Sequence, residues 1–136
     1  MLTARNRLRE GSEGLEIQMD IVRRVLSVSE TGLEGLEHIH ERAREGDLSA
    51  TNSLFQDVVY GVYEIQKSLN VLDPDAKSDD LGELTESLME ALNLMVSAYE
   101  NEEAFGTLGF MQFTLIPRYR KWKDELDRTL RPTIQS

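Results

Sequence analysis

Leu15 to His40 reads LEIQMDIVRRVLSVSETGLEGLEHIH. Within it Leu15, Met19, Val22, Leu26, Ser29, Leu33, Leu36 and His40 step by four and three in alternation. That spacing holds side chains on one face of a helix, whereas a strand repeats every second residue. The stretch predicts a long helix from near Thr3 to about Glu45. Gly11 and Gly14 weaken its start, and Gly32 and Gly35 lie inside it. A glycine in a helix interior costs up to about 1 kcal/mol relative to alanine. The pair at 32 and 35 therefore marks either a break near Thr31 or a place where a neighbouring helix comes close. The unbroken stripe from Leu15 through Leu36 favours continuity of the helix.

The same period returns further along the chain. Gly46 reads as a helix stop and Asp47 as the N-cap of a second helix over Leu48 to Leu72. A connection of one or two residues makes the two helices antiparallel neighbours. The second helix has a core line of Leu48, Phe55, Val59, Val62 and Leu69, with Val58 and Ile65 at its edge. Asp73-Pro74-Asp75 ends it, because proline disfavours a helical residue before it. Ser78 or Asp79 caps a third helix, Asp80 to Glu100, with the stripe Leu81, Leu84, Leu88, Leu92, Met95 and Tyr99. A fourth, capped by Asn101 or Thr107, carries Phe105, Leu108, Gln112, Leu115, Tyr119, Trp122, Leu126 and Leu130. Glu100, Glu102 and Glu103, at the helix junction, suit its N-terminal dipole. Pro117 removes one backbone donor and predicts a kink near Phe113 to Pro117. Arg131-Pro132 closes the helix near Leu130.

The expected fold is all-α: an antiparallel up-down four-helix bundle with a ragged or extra N-terminal helical segment and a Pro117 kink in the last helix. Residues 1–136 form one domain, 1–14 a loosely packed N-terminal segment and 131–136 a frayed tail. Its 136 residues suffice for a core without staples.

Composition narrows the function. There is no cysteine, so disulfides, thiolate zinc sites and thiol nucleophiles are excluded. The net charge is −10. Residues 30–103 hold eighteen acidic and four basic side chains. That argues against nucleic-acid binding, which needs a face of Lys and Arg. The cluster Arg118, Arg120, Lys121, Lys123 reads as a solvated face with favourable charge toward a helix C-terminus. No signal peptide and no apolar run able to span a bilayer are visible, which predicts a cytoplasmic protein away from membranes.

Catalytic constellations fail on counting and geometry. A di-metal bundle site needs two Glu-x-x-His pairs. The chain holds one, Glu37 with His40, and its other histidine is His38. Glu34 with His38, or Glu37 with Glu41, is ordinary helix-surface spacing, and His40 reads as a half-buried stripe member. Glu83, Glu86 and Glu90 fall about 140° to 200° from Leu81 on the helical wheel, opposite the core. No phosphate loop or nucleophile elbow appears. No catalytic, cofactor or metal residue is assigned.

One local excess is apolar. Ala104 to Tyr119 reads AFGTLGFMQFTLIPRY. Phe110 and Phe113 fall off its core stripe, and Tyr60 and Tyr63 are off-stripe on the second helix. Such aromatics either pack on a second side or form a partner-binding surface. Phe110, Phe113, Tyr60 and Tyr63 are therefore the candidate partner-binding residues. The partner is another protein, offering a helix or an export client, or a second copy in a dimer.

Three stretches resemble the flagellar secretion chaperones: Ile39 to Asp47, IHERAREGD; Leu54 to Leu69, LFQDVVYGVYEIQKSL; and Trp122 to Leu126, WKDEL. Together they span about residues 36–130. The likeness implies a small bundle that holds an export client. Met1 to Gly14 lacks the family's N-terminal tyrosine, and Ile17 to Val28 carries Arg23 and Arg24, so no client contact transfers by position. The sequence thus reads as a non-enzymatic, chaperone- or adaptor-like binding module. The alternatives are a small metal- or nucleotide-dependent bundle enzyme and a homodimeric structural protein.

Overall fold

The first helix stays one rod through Gly32 and Gly35 because neighbours fill the space their missing side chains leave. A Cβ at Gly32 would overlap the Tyr119 hydroxyl, and one at Gly35 would lie 3.0 Å from Val58 Cγ2. Opposite, a Cβ at Gly61 would lie 3.2 Å from Val28 Cγ1. These glycines exchange helix propensity for close helix–helix approach. The computed structural model describes residues 4–101 and 106–135, with side chains from position 13 onward. Phe105, Glu102, Glu103 and the packing expected of residues 1–12 lie outside the described residues.

Four rods form the molecule, and the described residues contain no strand. They are α1 (Ala4–Arg44), α2 (Asn52–Val71), α3 (Asp80–Glu100) and a fourth rod in three parts. These parts are α4 (Thr107–Phe110), a π-helical turn (Met111–Leu115) and α5 (Ile116–Ile134). Short 3₁₀ turns, Ser49–Thr51 and Pro74–Ala76, punctuate the connections. α1 packs against α2 and α5, and α5 against α3, so α1 and α5 form the spine. α2 and α5 stand diagonally opposite.

Several boundaries depart from the sequence reading. Gly46 does end α1: it has φ 83°, its N–H donates to Ala43 O, and that of Asp47 donates to Arg42 O. This pair of bonds is a Schellman motif, and left-handed backbone at Gly46 makes it possible. Asp47, however, is not an N-cap. Its carboxylate pairs with Arg42, and α2 starts later, at Asn52, after the 3₁₀ turn. Asp79 stands at the N-cap of α3 without a side-chain capping bond. Gly106, with φ 87°, precedes the fourth rod in place of Asn101 or Thr107. Arg131-Pro132 does not close it; the helix continues to Ile134.

The core lines are shifted by part of a turn in two places. On α2, Val58 and Ile65 are buried beside Phe55, Val62 and Leu69, while Val59 is half-buried. On the fourth rod Met111 is fully buried and Gln112 is exposed. Met111, Leu115 and Tyr119 follow at steps of four and four, more than two α turns of 3.6 supply. The π turn absorbs the excess and sits directly before Pro117, whose missing N–H removes the bond a regular helix would need there.

The core centres on Trp122 and Tyr119, whose rings meet edge to face at 5.2 Å. Both polar tips are satisfied, as burial of such residues demands. Trp122 Nε1 donates to Thr85 Oγ1 at 3.0 Å, and Tyr119 donates to Ser29 O at 2.8 Å. Thr85 Oγ1 donates in turn to Leu81 O.

Candidate functional site

α2 and α3 meet less closely than the other neighbouring long rods. Close packing of α2 on α1, through Gly35 and Gly61, leaves the opposite side of α2 as the wall of a seam. The seam holds two clefts. The first, of about 260 Å³, has Phe55, Val59, Val96 and Tyr99 in its floor and Asn52, Gln56 and Glu100 at its edge. The second, of about 400 Å³, lies toward the other end. Leu69 and Leu81 floor it, with Gln66, Asn70, Lys77 and Glu86 around them.

Polar ties close the seam at each end. Thr51 Oγ1 and the Tyr99 hydroxyl lie 2.6 Å apart, and Thr51 Oγ1 also donates to Leu48 O, so Tyr99 is the donor of the pair. Phe55 and Tyr99 stack at 5.0 Å with a 33° tilt. Burial raises the Tyr99 pKa. At the far end Lys77 Nζ donates to Leu69 O at 2.6 Å.

Tyr63, four residues after Val59, lies on the seam side of α2 between the clefts, whereas Tyr60 lies about 60° further round, opposite the buried line of Val62 and Leu69. Tyr60 is 68% exposed and Tyr63 43%. Phe113 is 75% exposed on the diagonally opposite rod. Phe110 is half-buried against the core. The four candidate residues therefore divide: Tyr63 lies on the seam side of α2, Tyr60 faces outward from it, Phe113 stands apart, and Phe110 belongs to the packing. Sequence spacing could not show the clefts, which arise from two helices separating.

The carboxylates behave as the wheel predicts. Glu83, Glu86 and Glu90 are exposed, and Glu90 lies 3.7 Å from Arg118. Among the described residues no three His, Cys, Asp or Glu side chains gather as a metal site. His38 is exposed and His40 half-buried. The basic cluster is more than a solvated face. Arg118 donates to Ser87 O, Arg120 pairs with Glu37, and Lys123 sits 2.9 Å from both Glu30 and Asp127. These bonds tie the fourth rod to α1 and α3. Among the described residues no helix is long and apolar enough to cross a membrane.

Residues 20–125 match the model of a family described as Domain of unknown function (DUF8042). The chain belongs to that family. The match takes in both clefts, Tyr60 and Tyr63, the α1–α2 glycines and Trp122, but not α1 before position 20. No curated protein and no solved structure matches the chain.

Proposed function

We propose that this member of the DUF8042 family is a non-catalytic helical binding module that takes an apolar helical segment of another protein along the α2–α3 seam. The observation that supports this reading is the seam itself: an apolar floor, clefts of about 260 and 400 Å³, and an exposed tyrosine, Tyr63, on the seam side of α2. Aromatic side chains beside concave apolar surface are the usual anchors of helix-in-groove recognition. The resemblance to flagellar secretion chaperones makes an export client one form such a partner would take.

The test is site-specific photo-crosslinking in the native cell from position 63 and, separately, from position 113. A discrete adduct from 63, identified and purified, is expected to bind the wild-type protein. Binding should fall at least ~10-fold to the Tyr60→Ala/Tyr63→Ala variant, which should melt unchanged. An adduct from 113 alone moves the site to the opposite face, and no adduct from either position overturns the reading. Calorimetric heat on adding Mg²⁺, Mn²⁺, Zn²⁺ or nucleotides would instead favour a ligand-dependent enzyme.

A further inference from the structure

The two walls of the seam repeat with a coiled-coil step, and only one of them is charged. On α2, Asn52, Gln56, Val59, Tyr63, Gln66 and Asn70 advance by four and three, and none carries a charge. On α3, Glu86, Met89, Asn93, Val96 and Glu100 advance by three and four. Both lines end at the clefts: Gln56 and Glu100 border the first, Asn70 and Glu86 the second. Two antiparallel lines of this step form a trough that takes a third helix at a shallow crossing angle. From Asn52 to Asn70 the trough is ~27 Å long at 1.5 Å per residue.

A helix suits this trough better than an extended strand. The backbone groups of α2 and α3 are bonded within each helix, so an extended chain would find no match for its own, whereas a helix satisfies its own. Charge then selects among helices. Glu86 and Glu100 are exposed, and neither has an ion-pair partner among the described residues, while Glu90, on another side of α3, faces Arg118. Asp79 adds a carboxylate at the second cleft. Lys77, the one cation of the two clefts among the described residues, has its ammonium bonded to Leu69 O. The trough is therefore apolar along its floor and acidic at both ends, which complements a helix with an apolar face and basic ends. A second copy of this chain does not fit. Its net charge is −10, and Arg118, Arg120 and Lys123 are paired with Glu90, Glu37, Glu30 and Asp127.

We infer that the partner helix is amphipathic and basic, with Lys or Arg at positions i and i+14 set over Glu86 and Glu100. Those glutamates are fourteen residues apart on α3, ~21 Å along its axis. Apolar residues at i+4, i+7 and i+11 share the face of the two cations and cover Val59, Tyr63, Met89 and Val96. This inference rests on the seam being a helix-binding groove. Fluorescence anisotropy with designed helical peptides of about 18 residues tests it on the full chain. All the peptides carry leucine at i+4, i+7 and i+11, and they hold lysine, glutamine or glutamate at i and i+14. The lysine peptide should bind tightest, ~10-fold better than the glutamate peptide at low salt, and added salt should narrow the gap. Glu86→Lys/Glu100→Lys should invert the order. Glu83→Lys, beside Lys121 and Asp124 on the α5 side of α3, should leave it unchanged. All three substitutions fall at exposed positions, and both variants should melt as the wild type does. Equal binding of the three peptides, lost in Tyr63→Ala, overturns the charge selection and leaves the groove standing. A lysine preference that survives Glu86→Lys/Glu100→Lys also overturns it, and failure of every peptide to bind overturns the groove as well.

Discussion

At Gly32 a missing methyl group lets Tyr119 reach into α1 and donate to Ser29 O. Gly32→Ala forces the ring or the helix aside, and overpacking of this kind costs about 1–3 kcal/mol. The cost should shrink in a Tyr119→Phe background, which removes the overlapping oxygen; a double-mutant cycle by urea unfolding measures the coupling. Thr85→Val leaves the buried Trp122 N–H without an acceptor and should cost about 1–3 kcal/mol. Trp122 is the only tryptophan, so its fluorescence reports the change directly. Burial, reinforced by the Glu30 charge, raises the Tyr119 pKa far above its ordinary 10.0. Burial alone would lower the Lys123 pKa, but its bonds to Glu30 and Asp127 outweigh that and raise it. A raised folded-state pKa contributes stability that is complete below the unfolded value and lost as pH rises through the folded one. Unfolding free energy should therefore decline above about pH 10, and Tyr119→Phe should flatten the decline. The sequence marked Gly32 as either a break or a place for a close neighbour. It did not name Tyr119, because the approaching residue lies ninety positions away.

The fourth rod shows what periodicity can and cannot locate in an element. Leu115 through Leu130 keep the expected phase and are buried. Upstream, Gln112 fit a regular helix by spacing, yet Met111 takes the core position because the π turn inserts one residue's worth of rotation. The signal was present as steps of four and four from Met111 to Tyr119, but a wheel drawn at a constant 100° averages it away. Deleting Phe113 while replacing Pro117 with alanine should convert the turn to regular helix and keep both core faces in phase. Circular dichroism should show the native helix content and a cooperative melt. Deleting Asp124, within the regular part, should rotate Leu126 and Leu130 out of the core and abolish that melt. The late start of α2 has a similar cause: Thr51 spends its hydroxyl on Leu48 O and Tyr99, a partner on another rod.

Across the whole molecule, the four rods and most of their buried faces were legible, because burial imposes the period. The α2–α3 seam was not, since helix separation depends on what packs on the opposite side of α2, at Gly35 and Gly61. That asymmetry has a measurable consequence. α5 is flanked by α1 and α3, whereas α2 leans mainly on α1. Native-state hydrogen exchange should find the strongest protection in α5 and earlier opening of α2, and equal protection in both would contradict the packing. α1 also runs from the interior past the end of α2, which lies level with Gln18, without a joint. α1 is held at Gly32, in its last third, where there is no slack, so it works as a lever on that fulcrum. Force applied to its projecting tip becomes torque on Tyr119 and on the α2 contact at Gly35, and a load at one end of the molecule is felt at its centre.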